Sequence, residues 1–272
     1  MYHGFGRESF RRLTMEIKNE ERFTGKANVY KRFRASYPKQ LIDYLYTLAG
    51  FRKDSIIADI GSGTGIFGRY LLDKGSHVIC VEPNDDMRLI FEKEMRDIAE
   101  AKKFSSVNAS AENTGLKEKS IDFITTAQAF HWFDRQKFKI ECRRILKDSG
   151  KVVLVWNLRD YEHEIVKKDY IIRKKFSVGD AKGLSSGEKS LNEFSDFFTD
   201  NICEELTFRN DLYLEREDYI GMNLSRSYAP VKEKNLEKYN GFVMALGNLF
   251  DEFSSSRILC YPHITKGHIG RV

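Results

Sequence analysis

The stretch 58-ADIGSGTGIFG-68 decides how the rest of the chain is read. It holds two overlapping glycine patterns, Gly61-Ser62-Gly63-Thr64-Gly65 and Gly63-Thr64-Gly65-Ile66-Phe67-Gly68. Ile56, Ile57 and Ala58 lead into it as a short strand, and Phe67 to Leu71 begin a helix behind it. A strand–turn–helix of this kind aims free N–H groups and a positive helix end at a ligand, and glycine lets the ligand come close to the backbone. The second pattern fits the dinucleotide fingerprint G-x-G-x-x-G, yet the same physics serves several ligands.

Outward from the loop the chain alternates short apolar runs with amphipathic helices. Pro38 opens a helix with Leu41, Leu45 and Leu48 on one face, closed by Gly50. His77–Val81, Phe104–Asn108, Ile121–Ile124 and Val152–Trp156 read as strands. Helices are marked by Met87, Ile90, Met95 and Ile98, and then by Phe138, Cys142 and Ile145. Strands that are apolar throughout and separated by helices predict a doubly wound, Rossmann-like α/β sheet with helices on both faces. Residues 1–37 form an N-terminal arm and 38–156 the core. Residues 157–202, polar with the Gly/Ser-rich stretch 183-GLSSGEKS-190, read as a helical lid or cap inserted after the fifth strand. Residues 203–272 complete the sheet, with a strand near 203–214, helices at 215–224 and 236–253, and a last strand at 257–265.

Composition narrows the class. The 272 residues are 41% hydrophobic and 31% charged, as in ordinary globular chains. No apolar run approaches the ~18 residues that cross a bilayer, and the charged start MYHGFGRESFRR lacks the apolar stretch of a secretory signal. Cys80, Cys142, Cys203 and Cys260 are scattered, which predicts reduced thiols in the cytoplasm and no metal site. The net charge of +5 is concentrated in residues 1–40, with ten Lys/Arg against four Asp/Glu. That excess fits a solvated arm, an anionic substrate or a nucleic acid, and composition does not choose among them.

Two acids sharpen the loop. Asp59 precedes Gly61 by two residues, where dinucleotide fingerprints place an apolar side chain, and an acid there suits a ligand with a cationic end. Glu82, in 78-VICVEPNDDM-87, stands about 20 residues after the loop, the place of an acid that chelates ribose hydroxyls.

Together ADIGSGTG, VICVEPNDDM, 109-ASAENTGL-116 and 122-DFITTAQAFHWFD-134 resemble the Rossmann-like S-adenosylmethionine methyltransferases. The nearest group is similar to the small-molecule methyltransferase type 11 proteins, akin to trans-aconitate methyltransferases. The resemblance spans roughly residues 20 to 272 and includes 23-FTGKANVYKRFRASYP-38, in which Ala35 departs from the usual proline. It implies that Gly61, Ser62, Gly63 and Gly65 hold the methionine part of S-adenosylmethionine and that Glu82 holds the ribose. Pro83 and Met87 would flank the adenine, Ala111 and Glu112 would reach its edge, and the Gln128 backbone would face the methionyl ammonium. Tyr30 and Arg34 would close over the cofactor, whose product is S-adenosylhomocysteine.

Methyl transfer from a sulfonium is a direct displacement and requires no single catalytic residue. His131 is the candidate base or orienting group, since imidazole titrates near neutrality. Trp132 and the Ser225, Ser227 and Tyr228 cluster are candidates for the acceptor side. The expectation is a methyltransferase acting on a small molecule, as a monomer or homodimer, with no membrane and no nucleic acid as partner. An RNA methyltransferase, a non-catalytic cofactor-binding protein and a nicotinamide dehydrogenase are the competing readings. No N/D-P-P-Y/F motif or RNA-binding module supports the first of these.

Overall fold

The computed structural model describes residues 36–95, 103–178, 195–226 and 228–272. Seven strands form one sheet: β1 (Ile56–Ile60), β2 (His77–Val81), β3 (Phe104–Val107), β4 (Ile121–Ala127), β5 (Leu146–Arg159), β6 (Cys203–Arg209) and β9 (His263–Gly270). Their order is β3-β2-β1-β4-β5-β9-β6. The first five are parallel, and β9 runs antiparallel to both β5 and β6. The order reverses between β1 and β4, so the carboxyl ends of these two strands flank the crevice where open α/β sheets bind ligands.

Apolar strands need cover on both faces. On one face lie α1 (Lys39–Thr47), α2 (Ile66–Asp73) and α3 (Asp85–Met95), with Leu41, Leu45, Phe67, Leu71 and Phe91 in the core. On the other lies α4 (Arg135–Ile145), with Phe138, Cys142 and Ile145 packed beside Phe197 and Phe198. Asp134 caps α4 by accepting from the Lys137 amide.

A second, smaller core stands apart from the sheet. It joins α5 (Glu164–Phe176), α6 (Arg216–Leu224) and α7 (Leu236–Phe253) with a two-stranded ribbon, β7 (Leu212–Leu214) and β8 (Leu259–Tyr261). Three expected boundaries shift accordingly. β5 runs on to Arg159, three residues past the expected core limit. The strand expected at 203–214 divides at Asn210-Asp211, because β6 stays in the large sheet while β7 leaves it. The strand expected at 257–265 divides at Pro262, which has no N–H to give a ladder, and its second half continues to Gly270.

Candidate active site

The glycine loop turns through three left-handed residues, Gly61, Gly63 and Gly65, at φ 68°, 56° and 77°. Side-chain-bearing residues adopt that region only at a cost of about 1–2 kcal/mol each. The three glycines are there for different neighbours. A Cβ on Gly61 would come within 2.6 Å of the Ala129 Cβ and 3.0 Å of the Phe133 ring, and one on Gly65 within 2.2 Å of the Phe91 ring. A Cβ on Gly63 would meet only the Met87 sulfur, at 3.7 Å. Gly61 and Gly65 are therefore glycine because protein packs on them, whereas Gly63 has only the Met87 sulfur in ordinary contact among the described residues. Gly68 serves packing too, since a Cβ there would lie 3.0 Å from the Cys80 sulfur and 3.2 Å from an Asp59 oxygen.

Glu82 ties the loop to the end of β2. Its Oε2 accepts from the Gly63 amide at 2.8 Å and its Oε1 from the Asn84 amide at 2.9 Å. Asn84 in turn accepts from the Met87 amide at 3.0 Å and holds the start of α3. The Gly61 and Ser62 amides donate to the Val81 carbonyl at 2.8 and 3.2 Å. Gly63, Glu82 and Met87 are thus gathered at one point, with half-buried Pro83 between the last two.

Asp59 takes a different place from the other candidates. It is 1% exposed and lies under the loop, accepting from the Thr125 hydroxyl at 2.7 Å on the neighbouring strand. Burial pushes its carboxyl up to about 7, with the Thr125 hydroxyl and the Gly68 backbone pulling the other way. In this position it braces β1 against β4 and α2; it does not present a charge to the crevice.

The segment after β4 covers the loop from the other side. Gln128 adopts a left-handed conformation, φ 62°, a departure uncommon outside glycine and concentrated at functional sites. Its amide donates to the Val155 carbonyl at 2.8 Å, and its side chain donates to the Asn157 carbonyl at 2.8 Å. A short 3-10 turn, Phe130–Trp132, then places His131 against Trp132, ring centroids 4.8 Å apart. Glu112 accepts from the Asp134 amide at 2.9 Å, which joins the 109–116 segment, including buried Ala111, to the HWFD stretch. Among the described residues no group of three His, Cys, Asp or Glu is placed to hold a metal.

Tyr228 is buried, and its carbonyl accepts from the Val178 amide at 2.9 Å. Ser225 donates to the Met222 carbonyl at 2.8 Å and serves the end of α6. Tyr30, Arg34 and Ser227 lie outside the described residues. Sequence reasoning missed Asn157, Arg159, Asp169 and Arg173. A signal existed for the last two: Ile165, Val166, Asp169 and Arg173 share one helical face, so the charges fall on the apolar side.

Residues 58–154 match the methyltransferase domain family. An uncharacterized methyltransferase of Mycobacterium tuberculosis is 34% identical over 138 residues, 51% of this chain and 53% of that protein. A probable S-adenosylmethionine-dependent methyltransferase of Saccharomyces cerevisiae is 29% identical over 122 residues, 44% of this chain and 42% of that protein. The chain thus spans about half the length of the curated relatives it matches. Over nearly its whole length the fold is similar to a candidate Type II methyltransferase from Anaeromyxobacter dehalogenans, with TM-score 0.61, 19% identity and coverage of 88% and 98% of the two chains. Sheet order and the solved neighbour agree on a Rossmann-like fold, within which residues 58–154 are similar to the methyltransferase domain.

Proposed function

We propose that the protein is an S-adenosylmethionine-dependent methyltransferase that moves a methyl group to a small-molecule acceptor. The observation that carries this reading is the joining of Gly63 to Glu82 beside Met87, whose sulfur is the one described atom within 4 Å of a Cβ on Gly63. That cradle fits the cofactor. The Gly63 and Asn84 amides fix the Glu82 carboxylate at the end of β2, where an acid meets the ribose hydroxyls. Met87 and Pro83 offer a soft, apolar wall for the adenine, with Ala111 and Glu112 at its edge. The methionine portion lies along Gly61–Gly65 and the Gln128 backbone, and Tyr30 and Arg34 close over it.

When bound, the cofactor supplies an electrophilic methyl carbon. The chain's own work is to align, to exclude water and, where the acceptor carries a proton, to remove it. His131 stands on the turn after β4, where it orients the acceptor or takes its proton, and Trp132 walls the pocket. Asp59 acts through the loop as a positioning residue. No described helix is long and apolar enough to cross a membrane. The four cysteines are free thiols, as suits a cytoplasmic protein.

The test is mass spectrometry of small molecules retained by the purified protein, followed by acceptor screening with cofactor labelled in its methyl group. Retained S-adenosylmethionine or S-adenosylhomocysteine and labelled small products are expected. A retained nicotinamide dinucleotide would overturn the reading. A second reading, RNA as acceptor, draws on the basic residues 1–40 alone. It predicts RNA retention that falls steeply with salt.

A further inference from the structure

The turn that carries Ala111 and Glu112 lies between β3 and β4, outside strand and helix. Its backbone closes on itself through a long bond, from the Asn113 amide to the Ser110 carbonyl at 3.4 Å. Firmer support comes from α4, at two points. At the start of the helix the Asp134 amide donates to Glu112 at 2.9 Å. Two helical turns on, along the same face, stands Glu141. The Thr114 amide donates to Glu141 Oε1 at 2.9 Å, and the Thr114 hydroxyl donates to the same oxygen.

The two contacts run in opposite senses. At one the acid belongs to the turn and the N–H to the helix; at the other the acid belongs to the helix and the donors to the turn. The turn therefore cannot slide along α4 without losing both. Thr114 and Glu141 are buried. The Thr114 hydroxyl also accepts from the Leu116 amide at 3.2 Å, which fixes the exit of the turn. Arg144 donates to both Glu141 oxygens at 2.7 Å. Burial works against the Glu141 ion, but Arg144 and then Thr114 hold the carboxyl below its ordinary range, so it stays an acceptor at neutral pH. Phe138, Cys142 and Ile145 seat the same helix in the core, which makes α4 a rigid frame for the turn.

A base edge is read by the direction of its hydrogen bonds. A loose turn re-aims to suit more than one base, whereas a turn held in register keeps one pattern of donors and acceptors. Hypoxanthine is the sharpest contrast with adenine, because it exchanges the amino donor for a carbonyl and the ring acceptor for an N–H.

We propose that Glu141 and Thr114 are positioning residues that set the base specificity of the nucleoside pocket, holding Ala111 and Glu112 so that the site takes adenine and rejects hypoxanthine. Glu141 acts through Thr114 and the turn. The assignment of this turn to the base rests on the methyltransferase reading; its anchoring by Glu141 does not.

The test is calorimetric titration of S-adenosylhomocysteine and S-inosylhomocysteine into the full chain. Thr114→Val removes the hydroxyl donor, and Glu141→Gln keeps the shape but turns an amide toward Arg144 or Thr114. Thr114→Ser keeps the hydroxyl, and Leu246→Val thins the second core, away from the turn. The wild type should bind the adenine ligand at least about tenfold more tightly than the hypoxanthine one. Thr114→Val and Glu141→Gln should each narrow that preference by about threefold to tenfold, by weakening the adenine ligand alone. Thr114→Ser should keep the wild-type ratio. Leu246→Val should keep it too while lowering the unfolding midpoint, as a merely structural change does. An unchanged ratio in folded Thr114→Val or Glu141→Gln overturns the proposal, as does a wild type that binds both ligands equally. Amide exchange in the wild type needs no variant: residues 110–116 should be protected more by S-adenosylhomocysteine than by S-inosylhomocysteine at equal saturation, and equal protection also overturns it. If the wild type does not bind S-adenosylhomocysteine, the methyltransferase reading falls and the base specificity with it; binding with an unmoved ratio removes the role of Glu141 and Thr114 alone.

Discussion

The glycine loop and the Asp169–Arg173–Arg159 cluster bury polar groups in opposite ways. The loop is built from neighbours in sequence, and its needs are met by backbone: left-handed glycines, amides given to Val81 and one nearby acid, Glu82. The cluster is built from α5, α6, β5 and β8, and its needs are met by long side chains that leave donors over. The first is a shape that many ligands could use. The second is a buried ion cluster assembled from elements distant in sequence.

The comparison breaks most visibly at Asp169. Asp169→Asn leaves two buried guanidiniums without a counter-charge and should cost about 3–5 kcal/mol in denaturant unfolding. Arg159→Met removes the Arg159 Nε bond to the Tyr261 hydroxyl but leaves Asp169 paired with Arg173, so its loss should be smaller, and equal losses from the two substitutions would erase the asymmetry.

Asp59 provides the contrasting buried acid, with no cation beside it among the described residues. Its folded pKa of about 7 lies above the value of about 4 that an unfolded chain shows. Between those values the folded protein binds more protons than the unfolded one, so this group's contribution to stability falls as pH rises from about 4 to 7. Asp59→Asn removes that dependence. The stability of the variant relative to wild type should therefore climb by up to about 3–4 kcal/mol across this window and level off above it. A flat difference in paired denaturant titrations would place the carboxyl in a more polar setting.

At the loop, Gly65→Ala adds a methyl in a left-handed position against the Phe91 ring, with a summed cost of about 2–4 kcal/mol in thermal or denaturant unfolding. The same change at Gly63 meets only the Met87 sulfur at 3.7 Å, so its stability loss should be the smaller of the two. Reversal of that order would mean that Gly63 is packed more tightly than the Met87 contact alone.

Much of the fold was legible because the parallel strands are uniformly apolar and the helices are periodic. The loop was legible for a related reason: its residues and its acid lie within about 20 positions of one another. What escaped was non-local. Strands 203–214 and 257–265 read as continuous, since local pattern does not show that Asn210-Asp211 and Pro262 hand the chain from the large sheet to the β7–β8 ribbon. Asp59 was read as facing a ligand, because sequence gives its place on β1 but not which side of the strand the helix covers. Arg159 was hidden in a segment read as insertion. Its partners at 169, 173, 228 and 261 meet only once α5 packs between β5 and α6.

The central claim, that ADIGSGTG holds S-adenosylmethionine with Glu82 as its ribose anchor, is tested most directly by calorimetric titration of S-adenosylhomocysteine into wild type and Glu82→Ala. Saturable binding by the wild type is predicted, weakened in the folded variant by about 1–3 kcal/mol, the scale of hydrogen bonds to a charged group. Unchanged affinity in a folded Glu82→Ala, or binding of a nicotinamide dinucleotide in place of S-adenosylhomocysteine, would contradict it.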